Sequence, residues 1–171
     1  MHSFAWWPTV AVLAVATFTD LRSRRIPNWL VAPFLLAGLI VPAWLHGWGG
    51  LWQSLEGFGL GALIYGLLFA MGGMGMGDVK LVAAIGAWIG PGQLTLALVL
   101  TGIAGGIMAV GWAVVGGFAG DLFSGSSDLL FGFGKRGMKP PPELVLDNPK
   151  AHKLPYAPAI AIGTLISFFS H

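Results

Sequence analysis

Long apolar runs dominate this chain and leave it few ways to fold. Six stretches, about 3–19, 29–45, 51–71, 79–89, 93–118 and 156–169, are apolar nearly throughout, with glycine, proline or polar turns between them. A helix needs roughly 20 such residues to cross a bilayer. Charged residues make up only 9% of the 171, against about a quarter in a soluble domain. Lipid offers the backbone no hydrogen-bond partner, so a crossing segment must satisfy its own N–H and C=O groups. The expectation is an all-α polytopic membrane protein: one domain over 1–171, six transmembrane helices, and a polar loop at about 120–154. The N-terminal MHSFAWWPTVAVLAVATF lacks the basic start and small-residue cleavage site of a secretory signal, so it is expected to remain as the first span.

Charge placement sets the orientation. With the N-terminus outside and successive connections alternating, Arg22, Arg24, Arg25, Lys80, Lys135, Arg136, Lys139, Lys150 and Lys153 all fall on the inner side. These are all 9 basic residues, the positive-inside pattern. Trp6, Trp7, Trp44, Trp48, Trp52 and Trp88, out of 8 tryptophans, collect at the outer ends as an aromatic belt. Both termini are then outside. A pI of 9.2 rests on a net charge of only +2, which indicates no nucleic-acid partner. With no cysteine there is no disulfide, thiolate zinc site or cysteine nucleophile. The pairs Gly57/Gly61 and Gly102/Gly106 have the spacing that lets helices pack closely in lipid. Pro33 and Pro42 are expected to kink the second span, and Pro27 and Pro155 stand where helices begin.

The stretch GGMGMGDVKL, 72–81, sits between two apolar runs and carries Asp78. An ionisable residue there is expensive to keep and marks a functional site. Its glycines supply positive φ or close backbone approach. The run from Asp78 to position 89 covers only about 18 Å against about 30 Å of hydrocarbon, so either it crosses incompletely or Asp78 lies in a wet recess. Asp20 ends the first span at the same face. Two carboxyls in one recess suit acid–base chemistry on a water, one ionised and the other protonated. The helix ends favour Asp78 as the base and Asp20 as the proton-bearing partner. Plainer readings stand level with this on the residues alone: Asp20 neutralised by its arginines, and Asp78 a helix N-cap. Glu56, an outer-end acid that snorkels to water, and the loop acids Asp121, Asp128, Glu143 and Asp147 receive no role. A transporter whose ion path is lined by Asp20, Asp78 and Lys80 is the alternative class; both acids at one face and no internal repeat speak against it.

At these residues the chain resembles the prepilin peptidase family, intramembrane aspartic proteases of the GxGD type. Asp20 lies in TDLRSRRIPN, 19–28. Gly75, Met76, Gly77, Asp78, Val79, Lys80 and Leu81 match GxGDxKL without departure, and Leu154, Pro155, Tyr156, Ala157 and Pro158 resemble the segment before the last helix. The resemblance implies Asp20 and Asp78 as catalytic residues, with Gly75, Gly77, Lys80 and Leu81 as supporting motif. It implies cleavage of a type IV prepilin-like substrate after a glycine, between a basic leader and a hydrophobic helix. That cut would be made at the cytoplasmic face of the bacterial inner membrane, without metal or organic cofactor. The glycine-rich loop would offer the unwound substrate a strand partner. Pro155, Tyr156 and Pro158 are expected to fix the entry of the last span, and Lys80 to snorkel to lipid phosphates. Lacking cysteine and opening on its first span, the chain resembles the short form associated with Flp/Tad-type pili, so methyl transfer is not carried over. A catalytically silent assembly factor of a pilus or secretion machine is the remaining alternative.

Overall fold

The computed structural model of the chain describes residues 2–23, 25–71, 74–115 and 156–169. They form four helices: α1 (His2–Ser23), α2 (Asn28–Ala70), α3 (Met76–Val115) and α4 (Ala157–Phe169). The expected loop at 120–154, Arg24 and Pro155 lie outside the described residues.

Helices α2 and α3 have 43 and 40 residues. Run straight, each would reach about 60 Å, twice the hydrocarbon thickness. Each is instead broken at one glycine, Gly47 (φ 61°, ψ −143°) and Gly90 (φ 75°, ψ 173°). Those dihedrals are closed to residues carrying a Cβ. A Cβ on either glycine would meet nothing within 4 Å, so conformation rather than space requires glycine there. Pro33 and Pro42, expected to kink the second span, lie in stretches with no non-helical φ/ψ. The reversal needs a residue with φ > 0, which proline cannot supply.

Contacts give the direction of each half. Gly57 rests on Gly86 and Gly61 on Ala83; one number rises as the other falls, so 48–70 runs antiparallel to 76–89. Lys80 bonds Asn28 and Trp88 bonds Phe34; both numbers rise, so 28–46 runs parallel to 76–89. Helix α2 is therefore a hairpin about Gly47. Helix α3 also folds back at Gly90, since Leu94 Cδ2 would stand 2.8 Å from a Cβ on Gly86, while positions eight apart in a straight helix are about 12 Å apart. Gly163 against Thr101 and Gly105 against Ala159 make 91–115 antiparallel to α4. Trp6 packs edge-on against Phe168 at 5.0 Å while Asp20 bonds Ala157, so α1 is antiparallel to α4 as well.

Segment 76–89 is the centre of the bundle. Leu81, Val82, Ala83, Ala84, Ile85 and Ala87 are all buried, and a helix apolar and buried all round can only be surrounded by others. The surrounding helices turn Leu36, Ile40, Leu63, Leu67, Val99, Ile103 and Ile107 outward. Two stretches, Asn28–Ala70 and Met76–Gly111, are long and apolar enough to cross a membrane, and only 17% of the most apolar window of each is buried. So wide an apolar surface calls for lipid or another apolar partner.

One packing expectation needs correction. Gly57 and Gly61 do admit a neighbouring backbone, but a Cβ on Gly102 or Gly106 would meet nothing within 4 Å. The face turned to α4 carries Thr101 and Gly105 instead, one residue and so about 100° away. Trp88 is half-buried: its ring stacks on Phe34 at 5.3 Å and its Nε1–H donates to the Phe34 carbonyl at 2.8 Å.

A Cβ on Gly57 or Gly86 would overlap the facing backbone carbonyl. Gly86→Ala is expected to cost about 1–3 kcal/mol, and Gly102→Ala to stay within about 0.5 kcal/mol. Thermal unfolding of the purified protein in detergent measures both; equal losses would contradict the close approach.

Candidate functional site

The ordinary chemistry of a helix start builds one half of the site. Segment 76–89 begins at Met76 with Gly75 immediately before it, which makes Asp78 the third helical residue. Its Oδ2 accepts the Gly75 N–H at 3.3 Å, and the Asp78 N–H donates to the Gly75 carbonyl at 3.1 Å. A carboxylate at the third position reaching back satisfies a donor that the first turn leaves without a helical partner. Asp78 is thus not the cap itself but the residue that closes onto it.

The flanking glycines act by size. A Cβ on Gly75 would stand 3.3 Å from Asp78 Oδ2, and one on Gly77 would stand 3.2 Å from Ile26 Cβ. Gly77 therefore admits the turn that follows α1 and seats the end of α1 beside the start of α3. Neither glycine has positive φ; in the described residues that role falls to Gly47 and Gly90.

Asp20 supplies the other half from the last turn of α1. Its Oδ2 accepts the backbone N–H of Ala157, the first residue of α4, at 3.0 Å. This contact lies 137 positions away in sequence, and it changes the electrostatic argument. The sequence put Asp20 only at a helix C-terminus, which disfavours an anion. The fold also sets it on the N-terminus of α4, whose unpaired N–H groups and dipole favour one. Both carboxyls now sit on a helix N-terminus, so helix ends no longer distinguish base from acid.

The two carboxyls lie within electrostatic range of each other and are 6% and 9% exposed at Asp20 and Asp78. The only two tyrosines in the chain, Tyr65 and Tyr156, both lie within electrostatic range of Asp78. Tyr156 immediately precedes the residue that bonds Asp20. Tyr65 is buried, and the register of Gly57 on Gly86 and Gly61 on Ala83 continues one turn to place it level with Val79. Sequence reasoning passed over Tyr65. The available signal was its spacing: 57, 61 and 65 share one helix face, and a phenol on a glycine face is out of keeping with plain packing.

The remaining motif residues have structural places. Lys80 Nζ donates to Asn28 Oδ1 at 3.2 Å in an exposed contact, tying the start of α2 to the start of α3, where the sequence suggested lipid phosphate. Leu81 is fully buried. Pro158, half-buried, occupies the first turn of α4, where the missing N–H costs nothing. Pro155 lies outside the described residues. Among the described residues no three histidine, cysteine or acidic side chains gather as a metal site.

Comparison with known proteins bears on this end of the bundle. The sequence profile of the type IV leader peptidase family matches residues 7–110, a stretch that includes Asp20, Tyr65 and Asp78. The prepilin leader peptidase/N-methyltransferase of Aeromonas hydrophila is 36% identical over 118 residues, which are 61% of this chain and 40% of the relative. The protein of the same name from Burkholderia pseudomallei is 33% identical over 106 residues, 56% of this chain and 33% of the relative. That of Bacillus subtilis is 25% identical over 162 residues, 93% of this chain and 52% of the relative. The chain thus spans between a third and about half of these curated relatives. No solved structure matches it.

Gly77→Val would drive two methyls toward Ile26 and is expected to cost about 1–3 kcal/mol. Lys80→Met removes one exposed hydrogen bond and is expected to cost no more than about 1 kcal/mol. Unfolding midpoints of the two variants against the unchanged protein test this ranking, and the reverse order would refute the roles given to both residues.

Proposed function

The chain belongs to the type IV leader peptidase family, and from that premise we propose that it is an aspartic endopeptidase with Asp20 and Asp78 as its catalytic pair. Its substrate in this reading is a prepilin-like protein of the Flp/Tad type, cut after a glycine that separates a basic leader from a hydrophobic helix. The observation that supports the proposal is the placement of the two acids at the same end of the bundle. Two sequence-distant carboxyls are buried at one end of the bundle, each held by a backbone N–H at the start of a helix.

The chemistry follows from that pairing. Neighbouring carboxyls cannot both ionise cheaply, so the pair holds one proton between them. The ionised member takes a proton from water as the oxygen attacks the scissile carbonyl. The protonated member hydrogen-bonds the carbonyl oxygen and stabilises the charge that grows there. Collapse of the tetrahedral intermediate returns a proton to the departing amine. Each N–H fixes the direction of its carboxyl in advance, which is where positioning contributes to rate.

In the membrane, the six helical segments separated by Gly47, Gly90 and the interhelical connections act as six spans, with both termini outside and the aspartates at the cytoplasmic face of the bacterial inner membrane. Two distributions support this placement. Among the described residues, Arg22, Arg25 and Lys80 all lie at the aspartate end. Trp7, Trp44, Trp48 and Trp52 are exposed at the opposite end, as interfacial anchors would be.

Asp20→Asn and Asp78→Asn keep size and shape while removing the titratable proton. Each is expected to lower cleavage of a candidate prepilin in proteoliposomes by about 10²–10⁴-fold in protein that still folds, which its cooperative thermal unfolding checks. Persistent cleavage by either folded variant would break the pairing. The unaltered enzyme is expected to show a bell-shaped pH–rate profile, because the reaction needs one carboxyl ionised and one protonated, and the two limbs belong to the pair rather than to either residue. The absence of cysteine makes topology directly measurable. A membrane-impermeant maleimide is expected to label His46→Cys from the periplasmic side of sealed cells and to spare Arg25→Cys; the opposite pattern would invert the orientation.

A further inference from the structure

At the end of the bundle away from the aspartates, the reversals at Gly47 and Gly90 enclose a half-open cavity of about 400 Å³. That is many times the room one water needs, about 10–15 Å³. Its floor includes Ser54 and Gln93, which are 2% and 4% exposed. Both polar atoms of the Gln93 amide, Oε1 and Nε2, are buried without a hydrogen-bond partner. A buried unpaired amide is costly unless something enters to bond it. Segment 91–115 starts in the cavity wall, bringing the first-turn positions Gly92 and Gln93 to it; free N–H groups at such a start attract an anion.

The rim has the opposite preference. His46, Gln53 and Glu56 line the mouth and are exposed. Glu56 is the one carboxylate of the described residues away from the aspartate end. On the same stretch of chain the rings of Trp44, Trp48 and Trp52 are exposed, side chains suited to the headgroup layer. A carboxylate at the mouth, a buried amide without a partner beside a helix start, and exposed tryptophans on the adjoining residues select a ligand that is cationic at one end, anionic a few bonds away, and attached to a lipid.

We propose that this cavity binds the headgroup of an ethanolamine phospholipid, its ammonium on Glu56 and its phosphate at Gln93 and the start of segment 91–115. The inference rests on the membrane placement given above, which sets this end at the headgroup level of the outer leaflet. A choline headgroup has no N–H to give Glu56, and a glycerol headgroup has no cation, so the site discriminates between lipids of similar size. The peptidase chemistry lies at the other end and needs no residue of this cavity.

Native mass spectrometry of the full chain, released from nanodiscs of equal parts phosphatidylethanolamine, phosphatidylglycerol and phosphatidylcholine, tests the proposal. One retained phosphatidylethanolamine is expected. Glu56→Gln is expected to reduce its retention about tenfold, the weight of one charge-assisted hydrogen bond, and to remove the preference over phosphatidylcholine. Gln93→Leu is expected to reduce retention of all three lipids. Should Gln93→Leu fail to fold, Glu56→Gln on the exposed rim still decides the outcome. Retention of phosphatidylglycerol or phosphatidylcholine equal to that of phosphatidylethanolamine would overturn the ammonium assignment. Displacement of the lipid by soluble phosphoethanolamine at equal concentration would overturn the lipid as the ligand. The readout is mass, so an enzyme that cleaves but retains no lipid sinks this inference alone, while one that retains it but cleaves nothing sinks the peptidase reading alone.

Discussion

The contact between Gly57 and Gly86, where two helix backbones meet with no side chain between them, fixes how the central segment 76–89 lies against 48–70. A Cβ on either residue would overlap the other's carbonyl, so the pair sets both the distance and the register of the crossing. One turn further along, a Cβ on Gly61 would stand 3.0 Å from the Ala83 Cα, and the same register continues to Tyr65 level with Val79. In lipid, water expulsion does not drive helices together; close packing and hydrogen bonds between helices do. Small residues on facing stripes are therefore the main adhesive available here, and the site inherits its geometry from them.

Two further glycines act through conformation instead of size. Gly47 and Gly90 hold dihedrals that other residues avoid, and in doing so turn two very long helices into hairpins. Those reversals bring the starts of α2 and α3, the end of α1 and the start of α4 to one end of the bundle, and leave the cavity lined by Gln93 and Glu56 at the other. One device serves both ends: reversing a helix returns the chain to the face it left and opens a recess under the turn.

At the aspartate end, the main resource is the unpaired backbone of helix starts. Asp78 closes onto Gly75 within its own first turn, and Asp20 reaches across to Ala157. Each bond satisfies a helix-start donor, part-buried at Gly75 and buried at Ala157, and each restrains a carboxyl that the proposed chemistry requires to be aimed. The same two hydrogen bonds stabilise the fold and aim the carboxyls, so the acids belong to the fold whatever the proposed chemistry asks of them.

Much of this was legible in the sequence because it rests on local chemistry. Uncharged runs dictate helices, glycine-rich turns punctuate them, and a GxGD stretch between apolar segments marks Asp78; the polar turns at 46–50 and 90–92 coincide with the two reversals. What the sequence misjudged depended on neighbours. Gly102 and Gly106 have the spacing of a packing motif but face away from α4. Lys80 reads as a lipid anchor yet bonds Asn28. Only the tertiary structure decided that Asp20 meets the start of α4, that both tyrosines come within electrostatic range of Asp78, and that Gln93 is buried without a partner. Spacing along a chain fixes which residues share a helix face, whereas which helix that face meets depends on how all the segments pack together.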